Sequence, residues 1–334
     1  MRNISIIIPV YNEERYIEAC LDSILQSNYA RDKMEVLLVD GMSSDRTKQI
    51  IMAFQAKYPF IKHLENKKQI APVAMNIGIQ HAVGDCIFII SAHASYPINY
   101  FKVLSEQLYR LNADCVGGVL YTDIKNKNKK SSAIKQVLSS KVGVGNAIFR
   151  TGIDKVIEVD TVAFGCYKKE VFEKYGYYDE RLVRNQDIEL NKRIINGGGK
   201  IYLVPDVKCT YYARENFRDL AKNNFANGKW NILTAYYTGT LRSLSLRHFV
   251  PLGFVLSLIV PFLLGVWDGR FAYLSLFVAL SYLLLVIIVS LKLKNSENGL
   301  FYLVGGFVTL HLAYGIGSLA GIFAVIRNYI KGDR

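Results

Sequence analysis

The fold of this chain is decided by Ile6–Glu14 (IIIPVYNEE) together with Leu38–Thr47 (LVDGMSSDRT). Each stretch begins with an apolar run short enough to be one buried β-strand, and each run ends in a polar segment. Helical periodicity follows each of them, over Glu13–Gln26 and Asp45–Tyr58, and a third apolar run comes at Cys86–Ile90. This alternation of strands and helices predicts an α/β fold with a doubly wound, mostly parallel sheet.

Polar residues follow all three of these predicted strands. They lie in Pro9–Glu13 at the end of the first strand, Asp40–Asp45 at the end of the second, and Ser91–Ser95 after the third. Open sheets of this kind bind ligands outside the carboxyl ends of their strands. We therefore expect the three segments to meet at one edge of the sheet and to form the functional site there.

Ile6–Glu14 and Leu38–Thr47 resemble the first two motifs of the inverting family 2 glycosyltransferases, which have the GT-A fold. Asn76–Gly78 with Gly84 and Asp85 is similar to a third motif of that family. The resemblance extends from about Ile4 to Trp230. Within the family it is greatest to exopolysaccharide glycosyltransferases of the succinoglycan type, through SAHASYP and NQDIELNKRI. It implies transfer of a sugar, such as glucose from UDP-glucose, to a lipid-linked or growing saccharide.

The first two motifs are the ones that the resemblance assigns to the donor nucleotide. Pro9 and Tyr11 would form the wall of a flat slot for the base, and Glu13 and Asp40 would accept hydrogen bonds from the base or ribose. Glu13 can equally serve as an acidic residue at the start of its helix. Asp45 can be a helix N-cap, and we interpret it as structural.

The family's metal-binding Asp-x-Asp motif is replaced here by Ser91, Ala92 and His93. In the family those carboxylates hold a divalent ion, Mn²⁺ or Mg²⁺, which neutralises the diphosphate leaving group. Ser91 and His93 remain candidates for binding the nucleotide-sugar. His93 can ligate a metal through a neutral imidazole, or it can donate a hydrogen bond to phosphate or backbone. Both alternatives for His93 stay open. Whether the protein requires a metal therefore stays open as well.

Inversion requires a base that takes the proton of the acceptor hydroxyl. Asp187, at the start of a predicted helix Asp187–Ile195, occupies the place of the family's catalytic aspartate. A carboxylate there also interacts favourably with the helix dipole, and the two roles are compatible. Val162–Tyr167 (VAFGCY) resembles the loop that lines the acceptor subsite, where Gly165 would allow close approach of the sugar.

Processive members of the family carry Gln-x-x-Arg-Trp beside the site. The corresponding segment here is Ala226–Trp230 (ANGKW), which lacks the glutamine, so we predict transfer of a single sugar. Trp230 can stack on an acceptor sugar, or it can anchor the chain at a membrane interface.

Three apolar segments close the chain, at Phe249–Trp267, Phe271–Leu291 and Leu300–Ile326. They predict a membrane domain over residues 241–334 that follows a catalytic domain over residues 1–240. The second and third segments are long enough to span a bilayer. Two prolines leave the first as a kinked span or an interfacial segment.

Charges beside these segments predict their orientation. The apolar run Ile4–Ile8 is too short for the core of a signal peptide, so we expect a multi-pass protein of the cell membrane with a cytoplasmic catalytic domain. The positive-inside rule is satisfied if the first two segments form a hairpin. A plain third span would place Arg327 and Lys331 outside. We therefore expect one segment to be interfacial or re-entrant, either Phe249–Trp267 or Gly305–Gly321.

The net charge of +13 over 334 residues requires acidic partners. Nucleotide-sugar diphosphates and anionic membrane lipids qualify. The sequence contains no helix-turn-helix, zinc-finger or ribonucleoprotein pattern, which argues against nucleic acid. Five scattered cysteines without a CxxC pair fit a reducing compartment. The oligomeric state stays open.

Three other functions compete with this hypothesis. A catalytically weakened, sugar-nucleotide-binding subunit would explain the lost aspartates, but it would not need Asp187. A dinucleotide-dependent oxidoreductase would need G-x-G-x-x-G after the first strand, and Pro9–Arg15 (PVYNEER) lacks it. A polyprenyl-phosphate sugar transferase shares the motifs and differs in its acceptor, so it stays open as the alternative.

Overall fold

A computed structural model describes residues 2–145, 147–240 and 244–331. The chain forms two compact units. One comprises Met1–Tyr121 and Ile148–Tyr212, and the other comprises Thr122–Ala147 and Ala213–Arg334. The boundary predicted at residue 240 follows hydropathy alone, whereas packing groups residues 122–147 and 213–240 with the apolar helices.

A mixed sheet forms the centre of the first unit. The strands are β1 Ile4–Val10, β2 Met34–Asp40, β3 Ile61–Glu65, β4 Cys86–Ile89, β5 Ala94–Ser95, β6 Cys115–Asp123, β7 Ile157–Glu158, β8 Cys166–Lys168 and β9 Ile201–Tyr212. Their order in the sheet is β3-β2-β1-β4-β8-β6-β9-β5, and β7 pairs with β9.

The sheet is parallel in its N-terminal half. The pairs β1–β2, β1–β4 and β2–β3 are parallel, whereas β8 is antiparallel to β4 and β6, and β9 is antiparallel to β5 and β7. The predicted α/β class is confirmed.

Helices cover both faces of this sheet. Ile6 and Ile8 of β1 belong to one buried cluster, and Ile7 between them belongs to another. Such alternation buries a strand on both sides, which explains the continuous apolar runs in the sequence. The helices of this unit are α1 Ile17–Leu25, α2 Thr47–Lys57, α3 Ala71–His81, α4 Tyr100–Arg110, α7 Ile148–Thr151, α8 Glu170–Tyr175 and α9 Gln186–Asn196.

The third sequence motif supports the fold. The side-chain amide of Asn76 donates to the Tyr178 carbonyl at 2.9 Å and accepts from the Tyr178 backbone N–H at 3.0 Å. A Cβ at Gly78 would lie 2.3 Å from Cγ2 of Ile7. Only glycine therefore allows α3 to approach β1 this closely.

The second unit is helical. Among the described residues, three helices are long and apolar enough to cross a membrane: Leu246–Leu264, Arg270–Leu293 and Leu300–Lys331. They match the three predicted segments, and the chain has the features of a membrane protein. The helices of this unit are α5 Lys129–Leu138, α6 Lys141–Val144, α10 Phe217–Thr238, α11 Val250–Leu264, α12 Arg270–Leu293 and α13 Leu300–Lys331.

Candidate active site

Left-handed backbone conformations occur in two loops that follow β1 and β2 and in two segments that precede β8 and α9. Asn12, Met42, Phe164 and Asn185 have φ angles of 55°, 61°, 52° and 62°. Residues other than glycine seldom adopt this left-handed region, and they cluster at ligand-binding and catalytic sites when they do. Each of these four residues lies in a segment that the sequence singled out.

The loops after β1 and β2 brace each other. The Asn12 backbone N–H donates to Ser43 Oγ at 2.9 Å, and the Glu13 backbone N–H donates to Thr47 Oγ1 at 2.7 Å. Asp45 Oδ1 accepts from the Thr47 backbone N–H at 2.9 Å. The two motifs therefore form one rigid edge, and Asp45 has the structural role expected of it.

Asp40 lies beneath this edge and is only 1% exposed. Its Oδ1 accepts from the backbone N–H and the hydroxyl of Ser43, at 3.1 and 2.5 Å. Its Oδ2 lies 3.7 Å from Nε2 of His63, a buried atom without a hydrogen-bond partner among the described residues.

Tyr11 provides an open aromatic surface at the same edge. Its side chain is 51% exposed, and a Cβ at Gly41 would lie 3.3 Å from its ring atom Cδ2. Pro9 is half-buried and pairs with Val39 in the sheet. Tyr11 thus presents an exposed aromatic ring, and the stacking of Tyr11 and Pro9 on a base stays a prediction.

His93 is joined to the first motif through its contact with Glu13. Its Nδ1 lies 3.0 Å from Oε1 of Glu13, and its ring centre lies 4.4 Å from that of Tyr16. The His93 carbonyl accepts from the backbone N–H of Tyr212 at 3.1 Å. Oε2 of Glu13 is buried and has no hydrogen-bond partner among the described residues, so it is available to a ligand.

The donor set at this position lacks the two carboxylates of the family's metal site. No group of three or more His, Cys, Asp or Glu side chains that could hold a metal exists in the part of the chain that the structure describes. Ser91 Oγ accepts from the backbone N–H of His93 at 3.2 Å, and Glu13 Oε1 lies beside Nδ1 of His93. Mg²⁺ is usually bound through one or two carboxylates together with phosphate oxygens and waters, and of these three residues only Glu13 carries a carboxylate.

Asp187 lies in the first turn of α9, and its side chain is exposed to solvent. Because its surroundings desolvate the carboxylate, the pKa of Asp187 is raised above that of an ordinary aspartate. The backbone N–H of Ile188, which donates to Oδ1 at 2.9 Å, opposes this effect without cancelling it. An accessible carboxylate with a raised pKa is suited to act as a general base.

The VAFGCY loop is fixed to α9 near this carboxylate. Burial raises the pKa of Tyr167 and Tyr178, and the charge of Asp187 adds to both effects. The Tyr167 hydroxyl donates to Oδ1 of Asn191 at 3.2 Å, and the Asn191 amide donates to Thr161 Oγ1 at 3.0 Å. The structure therefore brings the predicted acceptor loop and the predicted base together.

The two residues predicted to contact the acceptor are placed differently. Gly165 is buried, and a Cβ there would lie 2.9 Å from both Cys115 Sγ and the Tyr167 ring, so packing alone requires glycine. Trp230 belongs to the second unit, on α10, with its ring centre 6.5 Å from that of Tyr237. Their contacts with an acceptor stay predictions.

Sequence reasoning missed His63, Tyr16 and Tyr212 at this site. His63 lies near the end of β3, a strand that the sequence pattern did not reveal. Tyr16 follows the first motif directly. Its ring lies against that of His93 at a tilt of 35°. This contact could have been predicted only from the convergence of the first and third strand ends.

Comparison with known proteins is consistent with this geometry. The family model described as "Glycosyl transferase family 2" matches residues 5–176. A dolichyl N-acetyl-α-D-glucosaminyl phosphate 3-β-D-2,3-diacetamido-2,3-dideoxy-β-D-glucuronosyltransferase from Methanococcus voltae is 32% identical over 236 residues, which cover 68% of this chain and 72% of that protein. The succinoglycan biosynthesis protein ExoA from Rhizobium meliloti is 30% identical over 227 residues, which cover 67% of each chain.

A similar structure is that of the mannosyltransferase PcManGT from Pyrobaculum calidifontis, in complex with GDP-Man and Mn²⁺. It superposes with a TM-score of 0.61 over 97% of this chain and 88% of that protein, at 17% identity. At this identity the likeness establishes the GT-A type of fold.

Proposed function

Because the chain belongs to glycosyltransferase family 2, we propose that it transfers a single hexose with inversion from a UDP-sugar to a lipid-linked or growing saccharide. The observation that carries this proposal is Asp187, an accessible carboxylate with a raised pKa beside the acceptor loop. A subunit that only binds nucleotide-sugars would have no use for such a group.

In this mechanism Asp187 accepts the proton of the acceptor hydroxyl. The freed oxygen attacks the anomeric carbon from the face opposite the nucleotide, and the bond from that carbon to the diphosphate oxygen breaks as the new glycosidic bond forms. The electron pair leaves with the nucleoside diphosphate. One displacement inverts the anomeric configuration, which is why a single base suffices.

The donor would bind along the edge formed by the first two motifs. Tyr11 and Pro9 would stack on the base, and Asp40 and Oε2 of Glu13 would accept its hydrogen bonds. Glu13 already holds Nδ1 of His93, which leaves Nε2 to bind the diphosphate. Such carboxylate–histidine pairs fix the orientation of the imidazole ring. The leaving group is thus stabilised by residues of this chain.

The absence of the Asp-x-Asp motif predicts an unusual response to chelators. We expect the wild-type chain to keep most of its activity in excess EDTA, because its residues do not form a divalent-metal site. A Ser91→Asp/His93→Asp variant should bind Mn²⁺ and become sensitive to EDTA. Initial rates measured with EDTA, and after adding back Mn²⁺, check this. Complete loss of wild-type activity in EDTA, restored by Mn²⁺, would show that the wild-type enzyme uses a metal.

Asp40 should contribute to nucleotide affinity through its charge. Asp40→Asn keeps the buried volume and removes the carboxylate, and a hydrogen bond to a charged group contributes about 1.5–3 kcal/mol. We expect the dissociation constant for UDP to rise about tenfold or more, whereas that for pyrophosphate stays unchanged. Calorimetric titration of both ligands measures this. Unchanged UDP affinity would remove Asp40 from the donor site.

The names of the relatives support acceptors of two types. Those of Methanococcus voltae and Trichomonas vaginalis name dolichyl-linked acceptors, and ExoA is named for succinoglycan biosynthesis. Incubating membranes with a panel of labelled nucleotide-sugars, followed by lipid extraction, tests the proposal. A lipid-linked oligosaccharide one sugar longer is expected. A single sugar on polyprenyl phosphate would support the alternative function, and no labelled product from any donor would contradict both.

A further inference from the structure

The segment that follows β6 carries a strong positive charge. Residues 125–138, here called the basic arm, contain five lysines and no acidic residue. The basic arm comprises the loop after β6 and helix α5. Lys127 and Lys129 are exposed, whereas Lys135 pairs with Asp123 at 2.8 Å. The first half of the basic arm therefore presents its charge to the surroundings of the protein.

The lysines at the start of α5 do not stabilise that helix. Asn128 caps α5 by accepting from the backbone N–H groups of Lys130 and Ser131, both at 3.0 Å. Lys129 and Lys130 therefore lie in the first turn, where the helix dipole disfavours positive charge. Because these lysines oppose the helix that carries them, their position points to an anionic partner outside the protein.

α5 packs on two of the long apolar helices. Ala133 and Val137 are fully buried. They belong to an apolar cluster that also contains residues of α12 and α13, namely Val286, Leu303, Phe307 and Leu310. The basic arm is thus held against α12 and α13 by burial of its own apolar side chains.

α12 and the first half of α13 form an antiparallel hairpin. Val286 shares the buried cluster with Leu303, whereas the hydroxyl of Tyr282, earlier in α12, lies 2.9 Å from Nδ1 of His311, later in α13. Both helices are long and apolar enough to cross a membrane. Residues 294–299 therefore form the turn at one end of the hairpin.

The beginning of the basic arm lies towards this turn. A Cβ at Gly306 would lie 3.1 Å from Cγ2 of Val137, and five residues later the Val142 carbonyl accepts from Nε2 of His311 at 2.9 Å. The chain from α5 to α6 thus runs in the same direction as α13, which begins beside the turn. The lysines at the start of α5 precede these contacts, so they lie nearer to the turn.

A bilayer with anionic headgroups matches both the charge and the apolar surface. Where a helical hairpin enters a membrane, its turn lies at the headgroup layer, which attracts lysines beside it when the lipids are anionic. Lys292 and Lys294 are exposed at the same end of the hairpin. Nucleic acid would match the lysines, but it would leave the exposed side chains of Phe277, Leu280 and Leu284 on α12 without a partner.

We propose that the basic arm binds anionic lipid headgroups at the membrane surface where residues 294–299 lie, with Lys127, Lys129 and Lys130 in contact with lipid phosphates. α5 is then an interfacial helix that fixes these lysines on the α12–α13 hairpin. The proposal requires the hairpin to enter a bilayer. It does not depend on the sugar or the acceptor that the chain uses.

Quenching by labelled lipids tests this proposal on the full chain. Ser132→Cys on α5 is labelled with a fluorophore, and the protein is reconstituted in vesicles of phosphatidylcholine and phosphatidylglycerol. The five natural cysteines are buried, so the wild-type chain gives the background. In paired samples, one lipid or the other carries a nitroxide near the top of its acyl chains. We expect strong quenching, with phosphatidylglycerol favoured about tenfold at low salt. The preference should vanish at 1 M salt, where the Debye length is about 3 Å.

Two double variants identify the lysines. Lys127→Gln/Lys129→Gln keeps Asn128 as the cap of α5 and removes two charges, so the preference for phosphatidylglycerol should fall about fivefold or more. Lys33→Gln/Lys57→Gln removes two exposed lysines of the first unit and is the matched control, which should keep the preference.

Three results would each overturn the proposal. Fluorescence that neither lipid quenches would show that α5 lies away from the membrane. Equal quenching by both lipids would show that the basic arm does not select anionic headgroups. A preference that survives Lys127→Gln/Lys129→Gln would show that other residues bind them.

Discussion

Asp187→Asn is expected to lower turnover by on the order of a hundredfold or more, which is the usual contribution of a general base. Asparagine has nearly the same shape, and the Ile188 backbone N–H can still donate to its side-chain oxygen, so the first turn of α9 should persist. Asparagine cannot accept the acceptor proton. Affinity for UDP should therefore stay close to that of the wild-type chain, while turnover collapses.

Two further measurements separate this role from a structural one. Asp206→Asn, an exposed aspartate on β9 of the same unit, is the matched control and should retain wild-type turnover. Because the pKa of Asp187 is raised, the wild-type rate should fall as the pH is lowered. The fall should begin at a higher pH than it would for an aspartate with an ordinary pKa. The base is lost as its carboxylate takes up a proton. Near-wild-type transfer by Asp187→Asn would exclude Asp187 as the base.

The sequence predicts a strand well when an apolar run leads directly into a polar segment. Both features lie within a few neighbouring residues, so they can be recognised without knowing the tertiary structure. β1, β2 and β4 are such strands, and the third apolar run, predicted at Cys86–Ile90, forms β4 at Cys86–Ile89. β3 (IKHLE) has only two apolar residues, three positions apart, so it shows no period-two alternation, and β5 and β7 have two residues each. These short strands exist because of pairing across the sheet, which no local pattern reveals.

The site shows the same division. The bracing of the first two motifs follows from the convergence of adjacent parallel strands, which the sequence predicts. Contact between His93 and Tyr212 depends on the antiparallel pairing of Ala94 with Tyr211, between segments that are far apart in the chain. The environment that raises the pKa of Asp187 is likewise tertiary, because it arises from the packing of the unit around the start of α9.

Hydropathy predicted the apolar helices well, and it could not reveal what covers them. Gly317 and Gly321, four residues apart, indicated a face for close helix packing. The partner proved to be α10, whose Lys229 carbonyl lies 2.7 Å from a Cβ built at Gly321. The sequence assigned α10 to the catalytic domain because it is polar. A polar helix can nevertheless belong to the same compact unit as apolar helices when its backbone packs directly on one of them.

Gly228→Ala is expected to destabilise the second unit strongly. Its methyl group would lie only 1.9 Å from the Tyr314 carbonyl oxygen, which is far inside van der Waals contact. Backbone atoms cannot rotate aside, so α10 and α13 must separate, at a cost of about 1–3 kcal/mol or more. Gly253→Ala on α11 is the matched control, since no atom lies within 4 Å of its Cβ position. Alanine favours a helix over glycine by about 1 kcal/mol. Thermal unfolding in detergent should show a lower midpoint for Gly228→Ala and an unchanged or higher one for Gly253→Ala. Equal midpoints would mean that the α10–α13 contact is absent.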